Sequence, residues 1–328
     1  MERFARTATP VAATAAAWTL SDGHAGNLRQ VQALARALGL DAAQDWTLQP
    51  RAPWRWLAPR RLPGADAAFG PAFAAALARP PALALGCGRQ AALATRLLHA
   101  RGARVVQILD PRLAPAHWDL VLAPQHDRLR GDNVIALLGS LHPVDDLWLA
   151  HARAAFPALA QLPQPRTAVL LGGPSRHVRF DRARLEALLA PLDAALARTG
   201  GSLLLTASRR TPAPLRELLR RRYAQAPGLR WLGPEDGANP YPGLLGWADR
   251  IVCSPDSVNM ISEACATAMP VFVSEPQRAG GRVRAFLDAL LARGRIRALD
   301  ATLAPFAVEP LRETARVAAE VRQRLRLA

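Results

Sequence analysis

Asp256, Ser257 and Glu263 form the most chemically suggestive cluster in the chain, inside the run 250–273 in which an apolar stretch, a polar turn, a helical pattern and a second apolar stretch follow one another. Ser257 is a helix N-cap by type, Asp256 stands just before it and Glu263 falls in the second turn. Such a helix start presents unpaired N–H groups and the positive end of the macrodipole, which favours an anion. A carboxylate one turn further in can accept hydrogen bonds from a sugar diol. Together they describe a pocket for the ribose and phosphate of a nucleotide; the plainer alternative is a buried crossover helix with a good cap. Three more loops of this half carry matching chemistry. Gly172 and Gly173 allow close backbone approach, Ser175 and Ser208 can donate to phosphate oxygens, Arg209 or Arg210 can neutralise a diphosphate, and Asn239 opens the fourth loop.

The first half offers acid–base candidates. Asp22 and His24 lie in the glycine turn 21–27, and either could act as a general base; imidazole has the better intrinsic pKa. Asp110, His126 and Asp127 are reserves, each of which could instead cap a turn. Trp54, Arg55, Trp56 and Leu57 stand in a proline-broken loop flanked by further arginines. Tryptophan beside arginine suits an anionic membrane surface or a lipid-linked acceptor, while the alternative is tryptophans that plug a core.

These residues need strands that end in loops. Apolar runs at 15–20, 82–85, 105–109, 120–123 and 134–138 alternate with helical patterns, the first being Val31, Leu34, Ala35 and Leu38. The alternation predicts a helix-covered parallel sheet. Phe-Pro, Leu-Pro and Gln-Pro steps then interrupt the pattern, which restarts with a strand at 167–171, a helix at 185–196 and a strand at 203–206. The reading is an α/β protein of two Rossmann-like doubly wound domains facing across a cleft. Residues 1–14 form a loose extension, 15–155 the first domain, 156–165 a linker, and 166–309 the second, nucleotide-binding domain. Residues 310–328 form an amphipathic helix with Leu311, Ala315, Ala318, Val321 and Leu325 on one face. Ligands of such sheets sit beyond the carboxyl ends of the strands.

Composition narrows the chemistry. The chain has 328 residues, half of them hydrophobic, which suits two ordinary cores. All 42 basic residues are arginine, against 26 acidic ones, for a net charge of +16. The absence of lysine excludes a Schiff-base lysine and a P-loop lysine. Three cysteines without metal-ligand spacing argue against a disulfide framework and suit a reducing cytoplasm. Aromatic residues make up only 5% and the arginines are dispersed, which argues against a nucleic-acid binder. No metal site and no cofactor is expected.

Residues 18–30, 108–112, 125–134, 172–175, 208–212 and 256–264, read as ordered motifs, resemble the mitochondrial fission, elongated-mitochondria type family from about residue 15 to the C-terminus, and the arginine-rich composition suits a bacterial member. The resemblance implies a glycosyltransferase-B-like fold whose second half is similar in layout to the transferase that adds N-acetylglucosamine to a lipid-linked cell-wall precursor. On that analogy Gly173 and Ser175 lie near phosphate and Glu263 near the ribose. The implied activity is metal-independent glycosyl transfer from a nucleotide diphosphate-sugar to a lipid-linked or cell-envelope acceptor, in the cytoplasm or peripherally at the inner membrane. The alternative is a non-catalytic nucleotide-sugar-binding or scaffold protein on the same fold.

Overall fold

The computed structural model describes residues 17–327; the extension expected over 1–14 lies outside them. The described chain divides into two compact units, residues 17–143 with 313–327, and residues 144–312.

In the first unit β1 (Ala17–Ser21), β2 (Gln44–Thr47), β3 (Leu83–Cys87), β4 (Arg104–Ile108), β5 (Leu120–Pro124) and β6 (Val134–Leu137) form one sheet in the order β2-β1-β3-β4-β5-β6, every pair parallel. Side chains alternate between two apolar layers, as a period of two requires. Trp18, Ala84, Val105 and Val121 face Phe73 and Leu93, whereas Leu85, Val106 and Leu122 face Val31 and Leu34. Both faces being covered, the strands read as continuous hydrophobic runs.

The second unit repeats the plan. β7 (Arg166–Leu171), β8 (Ser202–Ala207), β9 (Gly228–Trp231), β10 (Arg250–Cys253), β11 (Val271–Val273) and β12 (Ile296–Ala298) run parallel in the order β12-β11-β10-β7-β8-β9. Read from the other edge, this is the doubly wound order 3-2-1-4-5-6. Its strand order reverses between β7 and β10, and that of the first unit between β1 and β3. The loops leaving those four strands therefore border the crevices where such sheets take ligands.

Two segments differ from the sequence expectation. Residues 146–155, expected in the first half, form helix Asp146–Ala155, which belongs to the second unit and packs on helix Tyr241–Trp247. A Cβ on Gly243 would lie 2.6 Å from the Phe156 ring, so glycine is what lets the chain lie this close. The expected linker 156–165 also lies in this unit and carries the 3-10 helix Pro157–Gln161. The last helix runs Thr314–Leu325 rather than from 310, and it packs Val317, Ala318, Val321 and Leu325 into the first unit's core, leaving Ala315 exposed.

Candidate functional site

In the second unit the loops after β7, β8, β10 and β11 all leave the carboxyl edge of one parallel sheet. The loops after β7 and β10 are tied together at the switch point. The Gly172 N–H donates to Ser254 Oγ (2.8 Å) and the Gly173 N–H to Asp256 Oδ2 (2.8 Å). Ser254 Oγ in turn donates to Asp256 Oδ1 (2.6 Å), and Arg210 Nη2 donates to Asp256 Oδ2 (2.7 Å). Arg210 Nη1 reaches the carbonyls of Gly173 (3.1 Å) and Pro174 (3.3 Å), and the Thr211 hydroxyl donates to the Gly172 carbonyl. Asp256 has a fully buried side chain, while that of Arg210 is 45% exposed.

This latch explains the two glycines. A Cβ on Gly172 would stand 2.0 Å from Asp256 Oδ2, and one on Gly173 would stand 2.4 Å from the Arg210 backbone. The close approach expected there is made by the protein's own groups. Of the candidate cations, Arg210 is thus committed to Asp256, whereas Arg209 is exposed and has no hydrogen bond or ion pair among the described residues. Ser208 Oγ accepts the Arg210 N–H (3.1 Å). Ser175 is exposed, and its Oγ accepts the N–H groups of His177 (3.3 Å) and Val178 (3.1 Å).

The helix after β10 spans Val258–Cys265, with Ser257 Oγ accepting the Met260 N–H (3.4 Å). Residues 257–260 are half-buried, so its first turn is open at the sheet edge. Glu263, the expected ribose partner, is only 2% exposed, and Tyr241 Oη donates to its Oε2 at 2.5 Å. Asn239 is exposed and its Oδ1 accepts the Tyr241 N–H (3.0 Å). The structure therefore brings Gly172, Gly173, Arg210 and Asp256 into one cluster, and sets Asn239 beside the Tyr241–Glu263 pair. At the helix's other end Arg295, buried with its guanidinium lowered in pKa by desolvation, donates to the carbonyls of Cys265 (3.0 Å) and Thr267 (2.8 Å).

In the first unit Asp22 and His24 lie on the loop leaving β1, at the switch point. Asp22 Oδ1 accepts the His24 N–H (3.1 Å) and an Asn27 Nδ2 hydrogen (3.0 Å), and lies 3.1 Å from His24 Nδ1. The His24 side chain is 81% exposed. A Cβ on Gly88, in the loop after β3, would lie 2.7 Å from Asn27 Nδ2, so both loops share this corner. Asp110 Oδ1 accepts the Arg112 N–H (2.8 Å) as a turn cap. His126 and Asp127 lie in a 3-10 turn after β5.

The tryptophan segment is one helical turn, Trp54–Leu57, where a proline-broken loop was expected. It divides between the two readings. Trp54 packs against the core, whereas Trp56 is 64% exposed with the Arg55 guanidinium stacked 5.3 Å from its ring. Arg89 caps the turn by donating to the carbonyls of Trp56 (3.0 Å) and Arg55 (2.9 Å), and Arg96 donates to that of Pro59 (2.7 Å).

Ser254, Thr211, Tyr241 and Asn27 are partners the sequence reading did not assign. Only Ser254 carries a local signal, a hydroxyl two residues before an aspartate. The thiols are excluded as nucleophiles: burial pushes Cys87 and Cys253 up, and Cys265 up to about 12.

Solved structures share this architecture at low identity. The UDP-N-acetylglucosamine 2-epimerase of Rickettsia bellii aligns with a TM-score of 0.56 at 12% identity, over 94% of this chain and 95% of that one. S. aureus MnaA, in a co-structure with UDP, aligns with a TM-score of 0.51 at 13% identity, over 95% and 98%. The likeness is one of fold, two Rossmann-like units of the glycosyltransferase-B type. In sequence, the mitochondrial fission protein ELM1 of Arabidopsis thaliana is 30% identical over 276 residues, 75% of this chain but only 64% of the plant protein. The family model for mitochondrial fission ELM1 matches residues 25–325, and the chain belongs to that family.

Proposed function

We propose that the protein is a glycosyltransferase that takes a nucleotide diphosphate-sugar in its second unit and passes the glycosyl group to an acceptor hydroxyl. The observation that carries this is the convergence, at the β7/β10 switch point, of an open serine-capped helix start with arginine-bearing loops. Negative charge grows on the departing diphosphate, so catalysis needs dipoles and cations already aimed there. The first-turn N–H groups after Ser257 and the free guanidinium of Arg209 are suited to that, with arginine in the place a divalent cation takes elsewhere. Gly172, Gly173, Asp256 and Arg210 hold the loops, and Tyr241 holds Glu263, whose carboxylate turns to a ribose diol only if that hydrogen bond yields. His24, its ring within ion-pair distance of Asp22, is the base for the acceptor proton. Trp56 with Arg55 suits an anionic membrane or a lipid-linked acceptor.

A second reading is favoured by one observation: the carboxylate of Asp256 already occupies the Gly173 amide and the Arg210 guanidinium. A scaffold that binds a nucleotide-sugar without turning it over has the same fold and the same latch. A thermal-shift screen against UDP-, GDP-, ADP-, CMP- and dTDP-sugars, followed by assay of released nucleotide, separates the two. Transfer requires a shift with one nucleotide class and release that falls at least tenfold in His24→Gln. A shift without release supports the scaffold, and no shift with any sugar nucleotide removes both.

A further inference from the structure

A cavity of about 170 Å³ opens beside the latch, between the segment after β7, the start of helix Arg182–Thr199 and the turn after β11. Four arginines line it, Arg176, Arg179, Arg184 and Arg278, against a single acidic residue, Glu275. That carboxylate is shared: Arg184 Nη1 stands 3.0 Å from Oε2 and Arg278 Nε 2.7 Å from Oε1. Arg176 meets only a ring nitrogen of His177 at 3.4 Å, and Arg179 is exposed with no acidic partner among the described residues. Cation therefore exceeds anion around a concave space. Glu275 itself has φ +40°, in the left-handed region that non-glycine residues rarely enter, so the fold holds this carboxylate between two arginines at a conformational cost. Such outliers cluster where a ligand is clamped.

Size narrows the ligand. Pockets for whole drug-sized molecules begin at roughly 300 Å³. This cavity holds a part of one, of the size of a phosphoryl or diphosphoryl group. Planar forks converging on a small space match phosphate oxygens in geometry as well as charge. Ser175 at the rim adds a hydroxyl.

We infer that this cavity is a phosphoryl-binding site, in which the arginines at 176, 179, 184 and 278 take the anion in competition with the Glu275 carboxylate. The inference refines the donor reading, because it puts the phosphate in this cavity rather than at the Ser257 helix start and Arg209, yet it stands without it: a phosphorylated ligand lacking a nucleoside fits the same chemistry.

Calorimetric titration of the full chain with inorganic phosphate, pyrophosphate and UDP tests it. Pyrophosphate is expected to bind saturably. Arg184→Gln combined with Arg278→Gln should weaken it at least about tenfold, near 1.4 kcal/mol. Glu275→Gln, which removes the competing carboxylate, should tighten it several-fold, and Arg221→Gln, on an exposed side chain 75% accessible in another helix, should leave it unchanged. Glu275→Gln keeps the test valid if the double variant does not fold. Pyrophosphate binding that ignores all three cavity substitutions, or no binding at all, overturns the inference. Arginine-dependent pyrophosphate binding without UDP binding supports the cavity and refutes the nucleotide reading. UDP binding indifferent to Arg184 and Arg278 supports the nucleotide reading and overturns the placement of its phosphate in the cavity.

Discussion

Replacing the two charged members of the latch one at a time should give unequal costs. In Asp256→Ala the Gly173 N–H loses its acceptor inside the protein, a loss of about 1–3 kcal/mol. The Arg210 guanidinium also loses its carboxylate, but its side chain is 45% exposed and water can take over, so this adds only about 1 kcal/mol or less. Ser254 keeps the Gly172 N–H and can turn its hydroxyl. The expected loss is about 1–4 kcal/mol in all. Arg210→Ala instead strands a carboxylate whose side chain is fully buried, with two neutral donors and no cation. Breaking a buried pair from that side costs about 3–5 kcal/mol. Arg210→Ala should thus be at least as damaging as Asp256→Ala. The double variant, which removes the stranded charge with its partner, should cost about 1–3 kcal/mol less than the sum of the two. Urea unfolding of all four proteins at constant m-value measures this directly. Additivity within about 0.5 kcal/mol, or Asp256→Ala clearly worse than Arg210→Ala, would refute the latch.

Tyr241→Phe removes the short hydrogen bond to buried Glu263 and should cost about 1–3 kcal/mol in the same assay; a neutral result would mean the carboxylate is satisfied elsewhere. Hydrogen bonds from the Thr302 hydroxyl and the Thr302 and Leu303 amides hold the Asp300 carboxyl below its usual range. Its folded pKa being lower than the unfolded value of about 3.9, it contributes stability that is present above that pH and lost as pH falls through the folded value. Asp300→Asn should therefore show a shallower loss of stability below about pH 4, and an unchanged acid profile would contradict the assignment. The three buried thiols should resist a thiol-specific chromophoric reagent at neutral pH until the protein is unfolded, and fast labelling of any one in the native state would overturn their exclusion as nucleophiles.

Strand positions were legible because both sheets are buried on both faces, so that runs such as Ala-Val-Leu-Leu at 168–171 stand out as continuous apolar segments. The cap at Ser257 was legible for a local reason, its side chain and its helix being neighbours in sequence. The latch was not. Gly173, Arg210 and Asp256 meet only because the strand order makes β7 the neighbour of both β8 and β10, and sequence spacing does not encode which loops adjoin. The last helix shows the limit of periodicity: Ala315 joined the expected face through its spacing from Leu311, which lies outside the helix, whereas the face buried is Val317, Ala318, Val321 and Leu325. Helix Asp146–Ala155 was assigned to the first half because its prolines follow it, yet what decides its place is packing against Gly243 and its helix.

The central claim is that the second unit recognises a nucleoside diphosphate. Titrating UDP, GDP, ADP, CDP and dTDP into the full chain by calorimetry tests it most directly. The account expects saturable binding of one of them at a single site per chain, in competition with its own sugar-nucleotide. Absence of saturable heat with all five up to millimolar concentration, from protein whose circular dichroism shows it folded, would contradict it.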